Sequence, residues 1–173
     1  GYQTYRGWHT LAAGAQEVAV VLQPNPPVSP PVAPPLTPQR FTDNGDGTVT
    51  DNRARLIWLK DANCFGRKNW SEAMASAHVL ASGACGLLDG SVTGQWRLPS
   101  SEEWEALIDQ SSRPLALPAG HPFVGVQSDY YWSSTTDASY PRLAWCVSLN
   151  DGKVGTSFKT SSNNYVWPVR GGR

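Results

Sequence analysis

The chain has 173 residues, with 14 basic against 14 acidic side chains and no net formal charge, which excludes a nucleic-acid binder working through a strong overall positive field. Only 16% of residues are charged, against 16 Gly, 14 Pro and 8 Trp, a composition for short strands, loops and aromatic anchors rather than a helical bundle. No apolar run approaches the roughly eighteen residues of a membrane helix, and no basic-then-apolar signal peptide is visible; opening on Gly1 rather than Met, the chain is expected to be a processed or truncated product.

Residues 1–23 place Tyr5, Trp8, Ala12, Ala15, Ala19 and Leu22 on one stripe, which predicts a short amphipathic helix. Gly7 and Gly14 weaken that helix, and Glu17 to Leu22 also reads as an edge strand. Eight prolines then fall between Pro24 and Pro38. They predict a polyproline II spacer over 24–39, rising about 3.1 Å per residue and reaching on the order of 45 Å when extended. A docking peptide for a proline-recognition domain is the alternative, without the flanking charges that would support it.

From residue 40 onward the chain reads as one α+β domain. Arg40 to Asp51 is a hairpin around Asn44-Gly45-Asp46-Gly47. Its acidic loop fails the EF-hand spacing, because Gly45 stands where an Asp or Asn ligand belongs and no bidentate Glu follows; turn chemistry explains it. Trp70, Ala73, Met74, Ala77, His78 and Ala81 recur at helical spacing and predict a helix over 70–81. Ser100-x-x-Glu103 is a capping box that opens a second helix burying Trp104, Leu107 and Ile108. Tyr130 to Thr135, Leu143 to Asn150, Lys153 to Phe158 and Tyr165 to Arg170 are expected strands, the middle pair joined at Asn150-Asp151-Gly152. Trp96 to Pro99 is expected to end another strand just before the capped helix.

Of three cysteines, Cys64 and Cys85 flank the first helix and are expected to form a disulfide stabilising the fold by roughly 3 kcal/mol. The alternative is that all three are buried, reduced small hydrophobes, as Cys146 is expected to be. No CxxC or His-rich cluster has zinc spacing, so no metal and no cofactor are expected. His9, His78 and His121 lie in unrelated segments without a nucleophile motif. Glu102, Glu103 and Glu105 crowd the first turns of a helix, where they answer its dipole. The chain is therefore expected to bind rather than to catalyse.

Two stretches are candidates for binding. Lys153, Ser157, Lys159, Thr160, Ser162, Asn163, Asn164 and Tyr165 form a polar loop with two lysines and no acid, which Tyr140 and Arg142 could complete. Arg53, Arg55, Lys60, Arg67 and Lys68 form a basic run opposed mainly by Asp61. Arg and Lys set beside aromatic rings suit sulfate or carboxylate. An ordinary solvated face is the bland alternative for both. Trp58, Trp96, Trp132 and Trp167 stand in apolar contexts and read as core.

Phe41-Thr-Asp-Asn-Gly-Asp-Gly-Thr-Val-Thr-Asp, Trp58-Leu-Lys-Asp, Trp96-Arg-Leu-Pro, Tyr131-Trp-Ser-Ser-Thr and Val166-Trp-Pro-Val-Arg-Gly-Gly occur in that order. Together they resemble the domain family typified by the C-terminal domain of the Legionella collagen-like adhesin. The resemblance implies a C-type-lectin-like domain over 40–173, distantly similar to the formylglycine-generating fold and found in exported bacterial proteins. It also implies an extracellular adhesin, with the trimer as the family's assembly, that recognises sulfated or otherwise acidic glycans or surface proteins. The formylglycine-generating relatives use a cysteine pair that Tyr165 to Arg170 lacks. No Glu-Pro-Asn segment offers a lectin calcium cage, so binding without an obligatory metal is expected. The opening Gly1-Tyr-Gln-Thr-Tyr and the alanine-rich stretch after it are similar to a type IV pilin just past its anchor helix. This implies the alternative of a minor pilin or filament subunit displaying a lectin-like head.

Overall fold

The computed structural model describes residues 39–171, all within a compact unit that begins at Thr37. The helix expected over 1–23 and the proline spacer, up to residue 38, lie outside the described residues. The described residues form an α+β fold, in chain order β1 (Phe41–Asp43), β2 (Thr48–Asp51), β3 (Leu56–Leu59), β4 (Arg67–Lys68), α1 (Trp70–Val79), α2 (Ser101–Leu107), β5 (Tyr130–Thr136), β6 (Leu143–Ser148), β7 (Val154–Phe158), β8 (Asn164–Tyr165) and β9 (Val169–Gly171). They make a four-stranded sheet in the order β1-β2-β3-β9 and a five-stranded sheet in the order β4-β8-β5-β6-β7.

The hairpin between β1 and β2 is held by its own side chains. Asp43 accepts from the Gly45 amide at 3.1 Å, and Asp46 accepts from both the amide and the hydroxyl of Thr48 at 3.0 and 2.6 Å. These Asx interactions are what acidic turn residues provide, so the loop is turn chemistry. Gly47 has φ +85°, and a Cβ there would strike the Gly86 carbonyl. The close approach locks the hairpin to the Cys85–Leu88 loop, where the Leu88 amide donates to Asp46 O at 2.8 Å.

The first helix starts one residue after Asn69, whose side chain accepts from the Glu72 amide at 3.0 Å. It ends at Val79 rather than Ala81 because Leu80 turns to an extended conformation. The second helix carries the expected capping box at Ser100 and Glu103. Ala73 and Ala77 pack with Leu98, Trp132, Ala144, Cys146 and Val166, their small side chains letting α1 lie close to the five-stranded sheet.

Two expectations need correction. Tyr165 to Arg170 is not one strand: β8 joins the five-stranded sheet, whereas β9 joins β3 in the other. The break falls at Trp167-Pro168, where proline has no N–H to continue a ladder and its carbonyl accepts from the Leu59 amide at 3.1 Å. Trp96 to Pro99 is not a strand end either. Only Arg97 pairs, as a single bridge to Val169.

Between the sheets lies an aromatic core. Trp167 packs against Trp58, Trp104, Phe123 and Tyr131 with ring centroids 4.8 to 5.7 Å apart, mostly edge-on or tilted as ring quadrupoles favour. Trp58, Trp96, Trp132 and Trp167 are all at most 1% exposed, so they are scaffold. Cys64 and Cys85 form the expected disulfide, with Cα atoms 5.7 Å apart. Cys146 is a free, buried thiol.

Candidate functional site

The β6–β7 hairpin decides which of the expected binding residues meet. Leu143 pairs with Phe158 and Val147 with Val154, so Lys153 stands at the turn and Lys159 at the far end of β7. The five residues of β7 separate them by about 20 Å. The segment 153–165 is therefore not one loop but a strand, a turn and the short β8. Lys153 also has an acid after all: its ammonium lies 3.0 Å from Asp151, which holds that carboxyl down to about 2.

The other members divide by environment. Lys159 is spoken for internally, with its Nζ 4.2 Å from the Trp70 ring centroid and donating to the Thr136 hydroxyl at 2.8 Å. Ser157 faces the interior layer, its hydroxyl 3.3 Å from Cys146 Sγ; burial pushes that thiol up despite this contact. Asn164 is buried and pairs in register with Lys68. Tyr165 lies against Tyr131 at 5.3 Å and under the Arg67 guanidinium at 4.9 Å. Asn163 is exposed in the turn before β8. These residues build and staple the second sheet.

The basic run disperses as well. Lys60 is bound to Asp43 at 2.6 Å and Arg67 to Asp129, while Arg53 and Arg55 project near the β2–β3 turn. Asp61 caps its own turn by accepting from the Asn63 amide at 2.9 Å.

What does converge is the pair expected only to complete the first surface. Tyr140 and Arg142, with Ser139, Pro141, Leu143 and Phe158, line an open groove of about 500 Å³. Tyr140 is 65% exposed and Phe158 57%, an unusual exposure for two rings on one surface. The segment is positioned by Asp137, which accepts from the amides of Ser139 and Tyr140 at 2.8 and 3.2 Å, and by Lys159 N donating to Arg142 O at 3.0 Å. Phe158 escaped the sequence reading because it ends a strand. Only the β6–β7 register sets it beside Leu143. Among the described residues no three His, Cys, Asp or Glu side chains gather as a metal-ligand set.

The scaffold is an α+β body that carries an exposed aromatic groove on its loops. The chain belongs to the Lcl C-terminal domain family, an adhesin-related family whose model matches residues 47–170. Curated proteins include no match to it.

Proposed function

We propose that this domain is an extracellular, adhesin-type recognition head that binds an acidic saccharide in the Tyr140–Phe158 groove and has no catalytic activity of its own. The observation that carries the reading is the position of Arg142. Arg142 is exposed, forms no ion pair with another described residue, and lines the same groove as two exposed rings. Rings give sugars an apolar face to stack on, and a guanidinium fork matches sulfate or carboxylate. Membership of the adhesin-related family supports a surface location. The non-catalytic reading rests on scattered chemistry: His78 is exposed on α1, His121 lies in a distant loop, and the Cys146 thiol is buried.

A glycan array probed at low and high salt tests this, with Tyr140→Ala, Arg142→Ala and Lys153→Ala alongside. Salt-sensitive binding to sulfated or carboxylated glycans is expected. It should fall about 10-fold or more in Arg142→Ala, as loss of a charge-assisted hydrogen bond implies, and persist in Lys153→Ala. Silence towards acidic glycans, or a loss confined to Lys153→Ala, overturns the assignment.

A further inference from the structure

Strand β7 ends the five-stranded sheet, and its backbone shows which way it is open. Ser148 N donates to Lys153 O and Lys159 N to Arg142 O, so residues 153 and 159 point their peptide groups inward to β6. By antiparallel alternation, Val154, Thr156 and Phe158 point theirs outward, the Phe158 carbonyl already accepting from the Ser162 amide at 3.1 Å. Among the described residues no strand pairs with that edge. Protected edges carry a proline, a bulge or an inward charge; Val154 to Phe158 has none of these.

The same three residues send their side chains to the α2 face, where three hollows lie in a row. Val154 lines one of about 150 Å³ with Ile108 and Glu105. Glu105 also borders the next, of about 450 Å³, with Trp145, Glu102 and Asp137. Ser139 joins that one to the Phe158 groove. Trp145 is the register partner of Thr156, so the hollows follow β7 at every second residue.

We propose that β7 accepts an extended segment of a partner protein as a sixth strand, with apolar, basic and apolar side chains at alternate positions. Alternate residues of an added strand lie about 6.8 Å apart on one face, matching Val154, Thr156 and Phe158. The outer two drop into the hollows at the strand ends, one beside Val154 and Ile108 and the other beside Phe158. The middle one must cross Thr156, a strand spacing of about 4.8 Å, to reach Trp145 and the carboxylates of Glu102 and Glu105. Length and charge together select lysine or arginine there, through ion pairing and contact with the indole face. A second copy of β7 is a poorer occupant. Paired about Thr156 it sets Lys153 opposite the copy's Lys159, a like-charge pair. The outer residue at Phe158 would share the saccharide groove, whereas the β7 edge and the Trp145 hollow belong to this inference alone.

The test is NMR titration of the protein with a blocked heptapeptide of threonines carrying leucine, lysine and leucine at its second, fourth and sixth positions. The Val154 and Thr156 amides, exchanging freely in the unbound protein, should become protected from exchange. A central-glutamate peptide should bind at least about 10-fold more weakly, the loss of one charged contact. Thr156→Pro removes an outward N–H, and Glu105→Lys reverses an exposed charge; each should weaken the lysine peptide while leaving glycan binding intact. Arg142→Ala should do the reverse, so failure of one reading is distinguishable from failure of the other. Val154 and Thr156 amides that are already protected without peptide, that stay unprotected at saturation, or that respond equally to both peptides would overturn the proposal.

Discussion

Arg97 grips both carboxylate oxygens of Glu103, at 2.7 and 2.6 Å, and the same carboxylate accepts from the Ser100 amide at 2.8 Å. One side chain thus caps α2 and anchors the segment entering it. Arg97 further donates to the carbonyl of Gly171 in β9 at 3.2 Å, so the pair ties helix, loop and four-stranded sheet together.

Glu103→Gln keeps the shape but removes the carboxylate charge from the two hydrogen bonds to Arg97 and the one from the Ser100 amide. Charged hydrogen bonds contribute about 1.5–3 kcal/mol when buried. With Arg97 36% exposed, solvent screening brings the expected loss to about 1–2 kcal/mol. Thermal unfolding should fall by roughly 3–8 °C. An unchanged Tm in Glu103→Gln would mean the capping box carries no more than a solvated ion pair.

The cysteines make a separate expectation. Native protein should show no thiol reactive to iodoacetamide, because Cys64 and Cys85 are joined and Cys146 is buried with its thiol pushed up in pKa. Unfolding without reductant should expose one reactive thiol, at Cys146. Cys64→Ser/Cys85→Ser should lose about 3 kcal/mol, since the bridge closes a span of 21 residues. Labelling of the native protein at Cys64 or Cys85 would contradict the pairing.

The scaffold was more legible in the sequence than the surface, for a physical reason. Ser100-x-x-Glu103, the Asn-Gly-Asp-Gly turn and the four tryptophans are local or compositional signals, and each specifies its own environment. Tyr165 to Arg170 misled because strand propensity does not say which sheet a strand joins, and Pro168 passes the chain from one to the other. Lys153 to Tyr165 misled because proximity in sequence is not proximity in space along an extended strand. Tyr140 and Arg142 were found by residue type; Phe158 needed the register with Leu143.

Acid should act on the fold through His121 before it acts through the carboxylates. The ring lies 5.7 Å from Phe123, its Nδ1 is buried without a partner, and burial lowers its pKa. A histidine whose folded value is depressed favours the neutral form in the fold. Its contribution is therefore complete above the unfolded value near 6.5 and is lost as pH falls through the folded value. The depressed carboxylates Asp43, Glu102, Asp109 and Asp151 have the same sign but act only below about pH 4. Wild-type Tm should decline between pH 7 and 5, and His121→Asn should flatten that decline. Parallel Tm curves for the two proteins would remove His121 from the account.

Aromatic residues should separate into two classes on truncation. Trp167 donates to the Leu59 carbonyl at 2.7 Å and touches Trp58, Trp104, Phe123 and Tyr131, so Trp167→Ala leaves a cavity between the sheets and an unpaired buried carbonyl. The expected cost is about 3–5 kcal/mol, a large share of what holds a domain of this size folded. Phe158→Ala removes a ring that is 57% exposed and should change stability by no more than about 1 kcal/mol. Yet Phe158→Ala should weaken ligand in the Tyr140 groove, because the second stacking surface is gone. Equilibrium urea unfolding of both variants, read with ligand titration of Phe158→Ala, distinguishes ring as scaffold from ring as contact. Phe158→Ala that unfolds as readily as Trp167→Ala would place Phe158 in the scaffold and leave Tyr140 and Arg142 to hold a ligand alone.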